Sequence, residues 1–366
     1  MQPLIWVKLR SRSIYLHTNC VLPSQHYGHL IQTRCKKQGQ SIYPYTAKLL
    51  DPEIDEVVQL TVQIFSRSFR PYQQTEEQMK ENSITSSTKI CAVIGNPVGH
   101  SMSPAIHNAA LNLLNLDLVY VAFKVEDLKN AMAGMRSLPS FRGMSVTIPH
   151  KIEVIQYVDE INDLDRSIGS INTVVNENGK LVGMGTDGPG ALKALVDAGV
   201  ELSGKCVAMV GAGGVARAIA FTLIQKAGVR KVSLLDIDEQ MLQGLADDLR
   251  SGTSAEVESF ISNSDSIATV MGYADVVVNC TPIGMHPKEG VSIIPAELFR
   301  NGQAVFDVVY NPIETKLLCD AKARGLIAVS GVEMFINQAA MQFEYFTGVG
   351  APVEEMRRVL MEKLGS

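Results

Sequence analysis

No run of 18 apolar residues occurs in the 366-residue chain, so no segment has the length and character of a membrane-spanning helix. Also missing is any C-x-x-C pair among the six cysteines, Cys20, Cys35, Cys91, Cys206, Cys280 and Cys319. Four of these lie in apolar stretches, where a thiol acts as a small buried hydrophobe. That usage fits a reducing compartment and excludes a disulfide framework and a zinc site. The seven histidines lack H-E-x-x-H or similar spacing, which excludes a resident metal on the same grounds. Basic charge is not in excess either: the net charge is −5, which leaves no electrostatic footprint for nucleic acid.

A different absence marks the start of the chain. Residues 1–50 hold seven Lys/Arg and no Asp or Glu. Such a segment is either an organelle transit sequence or a leader outside the folded protein. It lacks the apolar core and clean cleavage site of a secretory signal, so the expected location is the cytoplasm, or an organelle if the segment is a transit sequence. Residues 73–89 are rich in Glu, Gln, Ser and Thr and read as a linker. Residues 1–88 are therefore expected to be a poorly ordered leader and linker, with one amphipathic helix possible over 51–65.

What is present is a globular composition, 46% hydrophobic and 19% charged, in a chain long enough for two domains. From Lys89 onward strands and helices alternate, which predicts an α/β architecture with parallel sheets. Strands are expected at 90–94, 118–123, 143–146, 205–210, 232–235, 275–279, 304–309 and 326–329. Helices are expected from Ser103-Pro104, with Ser103 as N-cap, and from Pro149. Further helices are expected at 126–138, 190–198, 214–227, 239–249, 312–324, 332–346 and 352–364. Asn178-Gly179 predicts a hairpin between strands at 172–176 and 181–184. The hairpin and the helix after it break the parallel rhythm. They divide the chain into a first domain, 89–188 joined by 330–366, and a Rossmann-like dinucleotide-binding domain, 189–329, with a cleft between them.

The strand 207–210 runs into Gly211-Ala212-Gly213-Gly214-Val215-Ala216, a G-x-G-x-x-A turn between a strand and a helix. Glycines there let the backbone approach a pyrophosphate, and the free N–H groups at the helix start bind its charge. Asp236 ends the next strand 22 residues after Gly214 and has no arginine beside it. It would bond a ribose 2′-OH and repel a 2′-phosphate, which favours NAD over NADP; the alternative is a capping acid, a role that suits Asp238 better. Lys151 falls in the first turn of the helix expected after Pro149, where the dipole disfavours a cation. A lysine so placed can have a lowered pKa and serve as an acid–base group. On its own it would pass for a surface residue. Ser101 and Ser103 precede a helix N-terminus, and Asn172 and Asp187 stand at strand ends. Each also has a structural explanation, as a cap or a turn residue.

Together these segments resemble the shikimate dehydrogenase family, including its quinate/shikimate branch. The resemblance is carried by Gly99-His-Ser-Met-Ser-Pro104, Val146-Thr-Ile-Pro-His-Lys151, Ser170-Ile-Asn-Thr173, Thr186-Asp187, the glycine turn, Asn279-Cys-Thr281, Asp307-Val-Val-Tyr310-Asn-Pro312 and Gly331 through Gln338. It implies reversible NAD(P)-dependent hydride transfer between shikimate and 3-dehydroshikimate, in a monomer or homodimer with no nucleic-acid or membrane partner. Ser101 and Ser103 would hold the substrate carboxylate, and Thr147, Asn172, Tyr310 and Gln338 would add hydrogen bonds. Lys151 and Asp187 would form the catalytic pair. Thr281, Gly331 and Met334 would lie along the cofactor. Two residues depart from the family pattern: Ser145 stands for the usual Asn before Val-Thr, and Gly185 for the usual Asn before Thr-Asp. Quinate as substrate is one alternative, and a catalytically silent dinucleotide-binding regulator is another.

Overall fold

The computed structural model describes residues 84–365, and before them the backbone of short strands between residues 5 and 48. The helix suggested for 51–65 and most of the leader lie outside the described residues. The regular part opens with β1 (Lys89–Gly95), whose central residues are apolar and buried. Next come α1 (Ser103–Leu113), β2 (Leu118–Lys124), α2 (Leu128–Arg136) and β3 (Phe141–Val146). The chain continues through β4 (Glu160–Ile161), α3 (Asp163–Ile168), β5 (Thr173–Glu177) and β6 (Lys180–Met184). Asn178 and Gly179 turn β5 back onto β6 with φ of 56° and 92°, as that pair requires. The six strands form one mixed sheet in the order β4-β6-β5-β3-β1-β2.

A second sheet is built from β7 (Cys206–Val210), β8 (Lys231–Asp236), β9 (Glu256–Ile261), β10 (Val276–Asn279), β11 (Ala304–Asp307) and β12 (Ile327–Val329). Its order is β9-β8-β7-β10-β11-β12 and every pairing is parallel, the arrangement of a Rossmann fold. Its central strands β7, β10 and β11 are nearly continuous buried apolar runs because helices cover both faces, while the edge strand β9 is polar and partly exposed. These helices are α5 (Gly214–Ala227), α6 (Glu239–Gly252), α7 (Ser264–Met271) and α8 (Lys316–Ala323). The last two helices, α9 (Gly331–Thr347) and α10 (Val353–Leu364), return to the first sheet. There Val332, Ile336, Phe343, Met356 and Leu360 pack with Cys91, Val93, Ile106 and Tyr120.

Three expectations need correction. Met102, not Ser103, is the N-cap of α1, and Ser103 is its first residue. The helix expected from Pro149 does not form; a turn leads into a single 3-10 segment, Glu153–Tyr157. The reason is a competing donor. The Lys151 carbonyl accepts the Ile171 N–H of another segment at 2.9 Å, which turns it from the helical direction, and the Ile155 N–H bonds the Ile152 carbonyl at 3.4 Å. The dipole argument for Lys151 falls with that helix. The third concerns α3, β9 and α7, for which the sequence pattern predicts no element.

One helix ties the two sheets together. Helix α4 (Asp187–Asp197) places Ala191, Ala194 and Leu195 in the core around the second sheet. It can approach α5 closely because residue 188 is glycine: a Cβ there would fall on Thr222 Oγ1 and lie 2.6 Å from the Ala218 carbonyl oxygen. Gly188→Ala is therefore expected to cost about 1–3 kcal/mol through overpacking. Denaturant unfolding would show this as a lower midpoint with an unchanged slope. An unchanged midpoint would mean that the helices have room to separate.

Candidate active site

Helix α4 begins with the acid singled out from the sequence. Thr186 occupies the N-cap position and Asp187 the first helical one, and no side-chain bond caps the helix. The Asp187 carboxylate is thus not spent on a backbone N–H. It meets two side chains instead: Lys151 Nζ donates to Oδ2 at 2.6 Å, and Asn172 Nδ2 donates to Oδ1 at 2.9 Å. Side-chain exposures of 14% and 11% put this ion pair at the edge of the interior, where water can reach it but does not surround it.

Asn172 is 3% exposed and holds the turn before α4 as well. Its Oδ1 accepts the Thr186 N–H at 2.7 Å, and its Nδ2 also donates to Thr186 Oγ1 at 2.9 Å and Gln338 Oε1 at 3.4 Å. The bond from Ile171 N–H to the Lys151 carbonyl fixes the lysine loop beside this residue. The structure therefore brings Lys151, Asn172, Asp187 and Gln338 together from four separate segments. Gln338 comes from α9, which approaches α4 where residue 190 is glycine.

The two serines frame another part of the first domain. Ser101 Oγ accepts the Ser103 N–H at 3.3 Å, Pro104 has no N–H, and the Ala105 N–H donates to the Met102 carbonyl at 3.1 Å, so a carboxylate here would be met by the two serine hydroxyls. Ser103 is 6% exposed and its hydroxyl adjoins the Tyr120 hydroxyl. Thr147 follows β3, with its N–H on the Ile94 carbonyl at 2.9 Å. Tyr310 stacks on Phe335 with ring centroids 4.7 Å apart, and burial raises its pKa.

The residues predicted to face a dinucleotide sit at the carboxyl ends of β7, β8 and β10. Gly211 has a φ of 102°, open to glycine at little cost, and a Cβ there would come within 3.0 Å of the Cys280 carbonyl. Gly213 is the N-cap of α5 and makes no side-chain cap bond. The N–H groups of Gly214, Val215 and Ala216 consequently lack intrahelical partners, which suits a pyrophosphate. Asp236 Oδ2 accepts the Ala212 N–H at 2.6 Å and Oδ1 accepts the Asp238 N–H at 2.9 Å. Asp238 caps α6 by accepting the Met241 N–H at 3.0 Å. Thr281 bonds Asn279 Oδ1 through both its N–H and its hydroxyl and stands against Gly211. Gly331 opens α9, where a Cβ would collide with the Val308 and Val309 carbonyl oxygens. Met334 is 7% exposed in the core around the second sheet. The turn and the residues around it fit NAD(P).

Both departures from the family pattern have visible neighbours. Gly185 donates its N–H to Asp165 Oδ2 at 2.9 Å, and a Cβ at residue 185 would lie 2.6 Å from Asp165 Oδ1. The carboxylate of Asp165, 5% exposed, thus fills the space a larger residue would need, and burial raises its pKa. Ser145 accepts a hydrogen bond from Tyr120 at 2.6 Å and donates one to Gln342 Oε1 at 2.7 Å. Asp165, Tyr120 and Gln342 were not singled out from the sequence. Asp165 and Gln342 lie close in the chain to Ser170 and Gln338, while Tyr120 has no such neighbour.

Among the described residues no helix is long and apolar enough to cross a membrane, and no group of three or more His, Cys, Asp or Glu could hold a metal ion. A mixed sheet carrying polar side chains, joined to a Rossmann sheet with a glycine turn, defines a two-domain α/β dehydrogenase of the dinucleotide-binding class. Three family models match successive stretches of the chain. The shikimate dehydrogenase substrate binding domain matches residues 93–174, the lactate/malate dehydrogenase NAD binding domain matches 205–323, and the shikimate 5'-dehydrogenase C-terminal domain matches 331–361.

The shikimate dehydrogenase (NADP(+)) of Bacillus cereus (strain G9842) is 39% identical over 282 residues, 76% of this chain and 99% of that one. Shikimate 5-dehydrogenase from Listeria monocytogenes, solved with shikimate and NAD, aligns with a TM-score of 0.71 and 34% identity over 76% of this chain and 98% of that one. Quinate dehydrogenase from Corynebacterium glutamicum, solved with NAD, gives 0.70 and 32% over 75% and 99%. The chain belongs to the shikimate dehydrogenase family.

Proposed function

We propose that this protein catalyses the reversible NAD(P)-dependent reduction of 3-dehydroshikimate to shikimate, with Lys151 and Asp187 as its acid–base pair. The observation that carries this reading is the 2.6 Å contact between Lys151 Nζ and Asp187 Oδ2, with Asn172 on the other carboxylate oxygen. It is supported by the Bacillus cereus relative and by the Listeria structure with shikimate and NAD. The domains are read as 89–188 with 330–366 for substrate and 189–329 for the dinucleotide.

When bound, the nicotinamide gives or takes the hydride. The chain's own groups do the rest. Ser101 and Ser103 hold the substrate carboxylate at the start of α1. Thr147, Asn172, Tyr310 and Gln338 orient the ring. The Lys151 ammonium delivers a proton to the carbonyl oxygen as reduction proceeds, and its charge stabilises the oxyanion that develops there. Asp187 bonds the same oxygen in its hydroxyl form and keeps Lys151 directed at it. In oxidation Lys151 takes the proton back. Asp236, in a stretch reading Asp236-Ile-Asp-Glu239, favours NAD over NADP.

A second substrate, quinate, is favoured by one observation: the likeness to the Corynebacterium glutamicum quinate dehydrogenase solved with NAD. Quinate carries a hydroxyl on the carboxylate-bearing carbon where shikimate has a ring double bond, a difference one polar contact can decide. Measuring kcat/KM for shikimate and quinate, each with NAD and with NADP, tests both choices. Shikimate with NAD is expected to be the most efficient of the four combinations. Dinucleotide binding with no turnover on either acid would instead identify a regulator and end the enzymatic reading.

A further inference from the structure

Gln342 lies one turn beyond Gln338 on α9 and is 1% exposed. Every polar end of its side chain is used. Oε1 accepts from the Ser145 hydroxyl at 2.7 Å, while Nε2 donates to the Asn172 carbonyl at 3.1 Å and to Thr173 Oγ1 at 3.0 Å. On the far side of Ser145, the Tyr120 hydroxyl donates at 2.6 Å and adjoins Ser103. Tyr120 is itself locked by stacking on His107, with centroids 4.3 Å apart and ring planes 5° apart. Burial of His107 lowers its pKa to about 3, so the ring stays neutral near pH 7. A buried polar chain thus runs from Ser103 to Asn172, the residue that holds Asp187.

We infer that Gln342 is a positioning residue, which sets the angle of Asn172 and through it the aim of Asp187 at Lys151. This rests on the acid–base reading of that pair. Packing alone does not explain an amide at this place. The buried positions Val332, Ile336, Ala339 and Phe343 of α9 are apolar, while Asn337 and Gln338 are polar like Gln342, and a buried amide is unfavourable unless it is fully bonded. The Asn172 carbonyl already accepts the Val146 N–H at 2.8 Å from the sheet. Losing the second donor would leave the Asn172 carbonyl on Val146 alone, so the peptide could tilt and shift the side chain that Thr186 and Asp187 hold. Ser145 commits its single proton to Gln342, so it has none left for a substrate oxygen.

The test uses the full-length protein, with Gln342→Met, Ser145→Ala, the double variant and Lys151→Ala compared on shikimate and its dinucleotide. Gln342→Met is expected to lower kcat about ten-fold while the substrate KM moves less than about two-fold. Its kcat–pH profile should shift, and dinucleotide affinity should not. Ser145→Ala should move the profile in the same direction by less, and the double variant should be no worse than Gln342→Met, because one residue acts through the other. A folded Gln342→Met with wild-type kcat and pH profile overturns the inference, as does an additive double variant. Should Gln342→Met fail to fold, Ser145→Ala decides: an unshifted profile there overturns it. An inactive Lys151→Ala beside an unaffected Gln342→Met confines the failure to Gln342. An active Lys151→Ala removes the acid–base reading and this inference with it.

Discussion

Lys151→Ala is expected to lower kcat by about 10²- to 10⁴-fold, the range for losing a positioned acid–base group. The loss corresponds to roughly 3–5 kcal/mol of transition-state stabilisation. It should fall on turnover and leave dinucleotide affinity as it was, because Lys151 sits in the turn after β3 while the glycine turn opens α5. Fluorescence titration with the dinucleotide and steady-state kinetics with shikimate separate the two quantities. The variant should still fold. Asp187 keeps the Asn172 amide on Oδ1 at 2.9 Å, so its carboxylate is not left without a partner, and its side chain retains 11% exposure to water. Wild-type turnover in this variant would remove Lys151 from the mechanism and reduce its contact with Asp187 to a structural ion pair.

That pair was legible in the sequence only through its setting. Lysine near a helix start and aspartate after a strand are individually ordinary; eight motifs in one order set them apart. The elements whose signals are strongest came out nearly residue for residue: α5 spans 214–227 as expected, and β5 and β6 flank the Asn178-Gly179 turn. Strand β9 did not register because it is a sheet edge, with Glu256, Glu258 and Ser259 among half-exposed residues and little apolar contrast to read. The helix expected after Pro149 failed for a non-local reason, since the bond that stops it comes from Ile171 in another segment. Gln342 was missed on the same grounds. In a one-dimensional reading a glutamine on an amphipathic helix belongs to the wet face, and only packing against β3 and β5 shows it buried.

Asp236→Asn is expected to raise the NADP-to-NAD ratio of kcat/KM by at least about ten-fold, equivalent to about 1.4 kcal/mol. A nucleotide 2′-phosphate carries about −1.5 to −2 charges at neutral pH. Two unit charges about 4 Å apart near a protein surface interact by about 4 kcal/mol before salt screening, so even a heavily screened repulsion meets the ten-fold mark. Ile237, Asp238 and Glu239 follow directly and offer no cation to offset it. Asparagine removes the charge while its amide oxygen can still accept the Ala212 N–H that Asp236 Oδ2 accepts at 2.6 Å; its NH2 replaces the oxygen that accepts the Asp238 N–H at 2.9 Å. The glycine turn therefore keeps its shape while the repulsion disappears. Adding Ile237→Arg should push the ratio further by giving the phosphate a partner. The Bacillus cereus relative is named for NADP(+), which makes the outcome discriminating. A wild-type protein that uses NADP more efficiently than NAD, or an Asp236→Asn variant with an unaltered ratio, would show that cofactor choice is made at another position on the ribose.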